Sequence, residues 1–153
     1  MFTMLQDTRE QSPLHFPTDP MLKGVSVKGL VVGDYMVEFA DGTRPPVAFE
    51  RKSLADLAGT LTKGYERFKA EWLRAQEAKV SLILVIEDPL KVVWNGYQFS
   101  QESGQSLVQR CFTLMVKYRL QTVFCQDRRE AARWILEYGK ALARVYQPTG
   151  VSR

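Results

Sequence analysis

A chain of 153 residues with 45% hydrophobic and 25% charged residues has the balance of an ordinary folded domain, long enough to bury a real core, and this excludes a disordered chain. Its formal charge of +4 and pI near 9.1 suit a polyanionic partner without requiring one. Two cysteines and one histidine exclude the usual four-ligand zinc site, and with no apolar run of membrane-spanning length and no signal-peptide pattern, the expectation is a soluble cytoplasmic protein with no membrane partner.

In chain order, Phe2 to Leu5 reads as a short strand running into Asp7-Thr8-Arg9-Glu10, followed by a loop rich in proline (Pro13, Pro17, Pro20) with His15 as a surface residue. Val25 and Val27 alternate with polar neighbours as a second strand, and Leu30-Val31-Val32 leads to Gly33-Asp34. Tyr35 to Ala40 and Val47 to Lys52 read as strands folded together at Asp41-Gly42, a hairpin turn signal, with Pro45-Pro46 confined to the start of the returning strand. Ser53 opens a helical pattern whose stripe is Leu54, Leu57, Leu61, Tyr65, Phe68, Trp72 and Ala75, with Gly59 and Gly64 placed to bend or split it.

Val80 to Ile86 is almost wholly apolar, as expected of a central strand covered on both faces. A polar loop from Trp94 to Gly104 carries Tyr97 and Phe99, readable either as a local cluster or as a stacking surface for single-stranded bases. A second helix turns Leu107, Cys111, Leu114, Met115 and Tyr118 inward, and Thr122 to Cys125 is a short strand. Asp127 and Glu130 have the form of a capping box for a last helix carrying Ala131, Ile135, Tyr138 and Leu142, and the chain is expected to fray after Val145. The class is α/β with a mixed sheet. The first strands are expected to form an antiparallel meander and the later ones to be reached by helical crossovers.

The chemistry concentrates between Gly33 and Asp56. Side chains two apart on a strand share a face, so Glu50 and Lys52 project together while Phe49 and Arg51 point the other way. The hairpin returns the strand beside Asp34, so two carboxylates and an ammonium converge at one end of it. Such a group can hold a hard cation, Mg²⁺ or Mn²⁺, against a phosphate, with Lys52 orienting the attacking water and offsetting charge in the transition state. Each piece alone is common in purely structural settings, and Ser53-x-x-Asp56 has the form of a capping box whatever else Asp56 does.

In order, Asp7-x-Arg9-Glu10, Gly33-Asp34-Tyr35 and Glu50-Arg51-Lys52-Ser53-x-x-Asp56 resemble the motif set of the XPF/Hef nuclease family, a branch of the PD-(D/E)xK nucleases. The resemblance spans about residues 4 to 145, and the opening through Leu14 looks most like small prokaryotic and phage members. It implies a restriction-endonuclease-like α/β fold, a mixed central sheet flanked by helices, in one nuclease domain. It also implies a Mg²⁺- or Mn²⁺-dependent DNA endonuclease of repair or recombination, with branched or flapped DNA among its candidate substrates.

Residue by residue, it makes Asp34 and Glu50 metal ligands, with the Arg51 backbone carbonyl a candidate third, and Lys52 the catalytic lysine. Asp7 and Asp56 support the centre and Glu10 assists. Arg9 and Arg67 contact phosphate or tie the acidic cluster together. Apart from the resemblance, Lys63, Lys69, Arg74 and Lys79 read as an ordinary solvated helix face, with Lys63 a candidate phosphate contact. Cellular members carry a helix-hairpin-helix module after the nuclease domain. This sequence is expected to lack one, which leaves its substrate preference open and makes a homodimer, or a separate DNA-binding or helicase partner, the expected source of extra grip.

Two other readings remain at this point: a non-catalytic DNA-binding scaffold subunit, and a restriction-like or junction-resolving nuclease on the same scaffold. The presence of Asp34, Glu50 and Lys52 together speaks against the first and does not separate the second.

Overall fold

The structure is a computed structural model that describes residues 1–148. Six strands, β1 (Phe2–Asp7), β2 (Leu22–Lys28), β3 (Tyr35–Phe39), β4 (Val47–Lys52), β5 (Ser81–Ile86) and β6 (Gln121–Phe124), form one sheet in the order β2-β1-β3-β4-β5-β6. Five helices accompany it: α1 (Leu54–Leu61), α2 (Tyr65–Glu77), α3 (Leu90–Trp94), α4 (Gly104–Tyr118) and α5 (Arg128–Tyr146). The expected frayed end after Val145 lies largely outside the described residues; α5 itself runs to Tyr146.

The antiparallel meander expected of the first strands is only half present. β3 is antiparallel to both β1 and β4, but β2 runs parallel to β1 on the outer edge of the sheet. The reason is the length of the connection. An antiparallel neighbour needs a short turn, whereas residues 8–21 carry the chain back to the start of β1, where the Phe2 amide donates to the Met21 carbonyl at 2.9 Å. That return loop is pinned by buried Leu14, whose N–H donates to the Tyr35 hydroxyl at 2.8 Å. On β2, Val25 and Val27 are 47% and 59% exposed, so their alternation marks an uncovered edge face and not a core face.

β4, β5 and β6 are parallel and are joined by helical crossovers, as expected. Helices α1, α2 and α4 cover one face of the sheet, with Leu5, Met36, Ala48, Leu82, Leu84 and Ile86 beneath them. Helix α5 lies over the other face, on Phe2, Tyr35, Val37, Phe49, Ile83 and Val85. β5 is buried on both faces, which is why its sequence is apolar without alternation. Since only β3 runs against the other strands, the C-terminal ends of β1, β4 and β5 and the start of β3 share one end of the sheet.

Candidate active site

The turn into β3 is what brings Asp34 to β4. Gly33 has φ +79°, and a Cβ there would meet the Ala48 Cβ at 2.8 Å, so only glycine passes this close to the neighbouring strand. The next residue is then locked in place: the Asp34 amide donates to the Phe49 carbonyl at 2.7 Å, and the Arg51 amide donates to Asp34 Oδ2 at 2.8 Å. A third bond, from the Asp7 amide to the Asp34 carbonyl at 2.8 Å, ties in the end of β1. Asp34 therefore sits against the end of β4 that carries Glu50 and Lys52. The expected convergence is present.

Electrostatically the site is under stress. Glu50 is only 8% exposed, and its Oε2 is buried with no hydrogen-bond partner. Its near neighbours are carboxyls, which donate nothing while ionised. Burial, then contact with Glu71 on α2, then the charge of Asp34 push Glu50 well above the usual carboxylate range, and Lys52 only partly opposes this. Burial, with the charge of Glu10 adding to it, raises Asp34 to about 6 despite the bond from the Arg51 amide. A buried and a half-buried acid that resist ionisation beside each other form a cation-seeking arrangement.

Glu71 was not foreseen. Its signal was a carboxylate on the inward stripe of α2, three residues after Phe68 and four before Ala75, both of which are buried. Together with Lys52, Ala55, Asp56, Thr60 and Arg67, it lines a cavity of about 280 Å³ between the end of β4 and helices α1 and α2. Asp56 completes the expected capping box with Ser53, its amide bonding the serine hydroxyl at 3.1 Å, and it faces this cavity as well. Leu54 at the helix start is held by a second unforeseen acid, Asp88, at 3.0 Å.

The other expected residues stand one step back. The Asp7 carboxylate is 2% exposed and saturated: Leu30 N–H donates to Oδ1 at 2.8 Å and Arg9 Nε to Oδ2 at 2.8 Å. Burial alone would raise its pKa, but the bonds from Leu30 and Arg9 outweigh burial and hold it below the usual value. Arg9 is thus tied to the acidic cluster, although its side chain is 67% exposed. Glu10 lies on the opposite side of β4, forked onto Arg51 by two bonds of 3.0 Å. Arg51 also donates to Glu87 at 3.1 Å, and Arg128 of α5 reaches the same Glu87 at 3.3 Å. Lys63 and Arg67 are exposed, Arg67 at the rim of the cavity.

The residues fit a hard divalent cation. An orphaned, buried carboxylate oxygen beside a second raised carboxylate lacks the counter-charge that such an ion would supply. Among the described residues no group of three or more His, Cys, Asp and Glu side chains is gathered into a ready metal cage.

Solved structures share this mixed sheet flanked by helices. Two structures of XPF from Aeropyrum pernix superpose with TM-scores of 0.64 and 0.63 at 21% and 22% sequence identity. They cover 96% and 99% of this chain, which spans 66% and 68% of theirs, and the second is a complex with DNA. The fold is the restriction-endonuclease-like α/β fold of XPF. The ERCC4 domain family model matches residues 6–138, and the chain belongs to that family. A search of curated proteins found no match.

Proposed function

We propose that the protein is a metal-dependent endonuclease that hydrolyses phosphodiester bonds in DNA. The observation that carries this reading is the unpartnered Glu50 Oε2, buried beside Asp34 with Lys52 on the same strand face. Asp34 and Glu50, with the Arg51 carbonyl, would hold Mg²⁺ or Mn²⁺, which when bound supplies charge neutralisation at phosphate and a more acidic water.

The chain's own groups do the rest. Lys52 holds the attacking water by a hydrogen bond and offsets negative charge that grows on the phosphoryl oxygens. The Arg51 amide fixes Asp34 in one orientation, so no reorganisation is required as charge develops. Arg67 at the cavity rim and Lys63 in the turn between α1 and α2 attract the phosphate backbone, positioning the strand without reading its sequence. Membership of the ERCC4 domain family and the DNA-bound XPF relative support DNA as the substrate.

The test is incubation with linear, flapped, forked and four-way DNAs in Mg²⁺, in Mn²⁺ and in EDTA. Cleavage with either metal and none in EDTA is expected. Cleavage that persists in EDTA, or none of any DNA under every condition, overturns the reading. The same panel reports whether branched structures are preferred.

A further inference from the structure

A second groove, of about 490 Å³, lies on the outer side of α1, facing the loop that follows α3. Its volume lies in the range of small-ligand sites, roughly 300–1,000 Å³. Ala55 and Gly59 line both this groove and the cavity that holds Lys52, Asp56 and Glu71, so the two are neighbours across α1. Gly59 leaves the floor open, with nothing within 4 Å of where a Cβ would stand.

The opposite wall is aromatic. Phe99 is 77% exposed, and the edge-on ring of Tyr97, 5.4 Å away between centroids, props it. The loop is closed at its base, because any Cβ at Gly104 would collide with the Trp94 carbonyl. Bonds from the Ser100 amide to the Tyr97 carbonyl at 2.9 Å and from the Glu102 amide to the Ser100 hydroxyl at 3.1 Å shape the turn. An exposed apolar ring held this way completes no core.

We propose that this groove binds a nucleobase of an unpaired DNA strand, stacked on Phe99, next to the phosphate held at the catalytic cavity. The inference rests on the nuclease reading and deepens it. Three features select an unpaired base. A duplex keeps its base faces stacked inside and offers only edges to a protein, so an aromatic face in a concave groove can be used only by a base outside the stack. Lys63, in the turn after α1, meets the phosphate of that nucleotide, and Gln101 offers amide donors and an acceptor to the base edge. The acid in the groove, Glu102, does not repel the strand, because Arg110 at 2.9 Å and the Ser106 hydroxyl take up its charge.

Binding is measured by fluorescence anisotropy without divalent metal, on a fork with unpaired arms and on a blunt duplex of equal length. 2-Aminopurine beside the junction reports stacking. The expected result is a wild-type preference for the fork with quenched 2-aminopurine. Phe99→Ala should lose that preference by about five- to a hundredfold, and Phe99→Trp should keep it. Thermal melting of both variants controls for folding, which an exposed side chain should not disturb. If Phe99→Ala keeps the wild-type fork preference and quenching, the groove proposal is overturned. Parallel cleavage assays in Mn²⁺ separate the two readings. Cleavage that is indifferent to Phe99 leaves a nuclease without this subsite, whereas Phe99-dependent fork binding without cleavage leaves the subsite and removes the nuclease.

Discussion

At the scale of single residues, the site is built at the expense of stability. Glu50 carries a folded-state pKa above its unfolded one, so at neutral pH its ionised form is worth less in the fold than in water, and this cost fades as pH falls. Replacing it by glutamine removes the charge while keeping the shape. Glu50→Gln should therefore melt a few degrees higher than wild type in metal-free buffer at neutral pH while losing cleavage by at least a hundredfold. Scanning calorimetry beside a cleavage assay decides it, and a variant that melts lower with activity intact would remove Glu50 from the centre. Asp7 behaves in the opposite sense. Its lowered pKa contributes stability that is complete above the usual carboxyl value and is lost as pH falls through the lowered one. Asp7→Ala should cost roughly 2–3 kcal/mol near pH 7, because the buried Leu30 amide loses its acceptor, and the deficit should shrink in acid. Denaturant melts across pH would show a constant deficit if Asp7 mattered only through packing. Asp34, Glu50 and Lys52 were legible in the sequence because a strand's two-residue period and a hairpin turn are local rules. Glu71 was not, because its role depends on which residue of β4 its helix faces, and that is set by tertiary packing.

At the scale of elements, β4 is divided between function and structure. One side carries Lys52 to the cavity and Glu50 against Glu71 and Asp34; the other carries Phe49 into the core under α5 and Arg51 into a buried knot with Glu10 and Glu87. The sequence predicts this division, since alternate residues of a strand face opposite ways. It makes neighbouring substitutions behave unlike each other. Lys52→Ala should keep the fold and the affinity for DNA while single-turnover cleavage falls by about two to four orders of magnitude, the usual share of such electrostatic and proton-transfer groups. Arg51→Ala should instead unfold the protein readily, costing about 3–5 kcal/mol, because Glu10 and Glu87 would stay buried without their partner. Circular dichroism melts paired with single-turnover rates make the comparison, and equal loss of stability in both variants would contradict it. Other elements were read with less success. The long helical stripe breaks into α1 and α2 at Gly64, one of the two glycines placed to bend or split it, while Gly59 stays inside α1; the caps at Ser53 and Asp127 were visible by type, and Ser103 was not read as one. The five-residue α3 has too few turns to show a period, so the sequence assigned no element to residues 90–93. The direction of β2 was missed because alternation shows that a strand exists but not which neighbour it pairs with.

At the scale of the whole molecule, the chemistry gathers at one end of the sheet, and this leaves the flanks of the helices to other partners. Helices α4 and α5 carry more apolar positions than one buried stripe on each requires, and a homodimer was expected as a source of extra grip. The structure sorts those positions. Val108 and Leu136 are buried and complete the core, and Trp134 stacks on Tyr138 over Phe49, whereas Phe112, Val116 and Val145 are 38%, 81% and 72% exposed. The exposed ones do not lie on one face. α4 covers one side of the sheet and α5 the other, so an interface that used both would have to wrap around the outer edge at β6. β6 is short, its residues partly exposed, and its outer edge has no strand paired to it among the described residues, the kind of open ladder that invites a partner. Pairing there would also double the phosphate contacts available to a small domain, and affinity for DNA grows with their number. The predicted outcome is a mass near twice 17.5 kDa by light scattering at micromolar concentration. Val116→Glu should shift it toward the monomer without lowering the melting temperature, since this side chain packs against little of its own chain. A monomeric wild type with full cleavage activity would rule out the dimer.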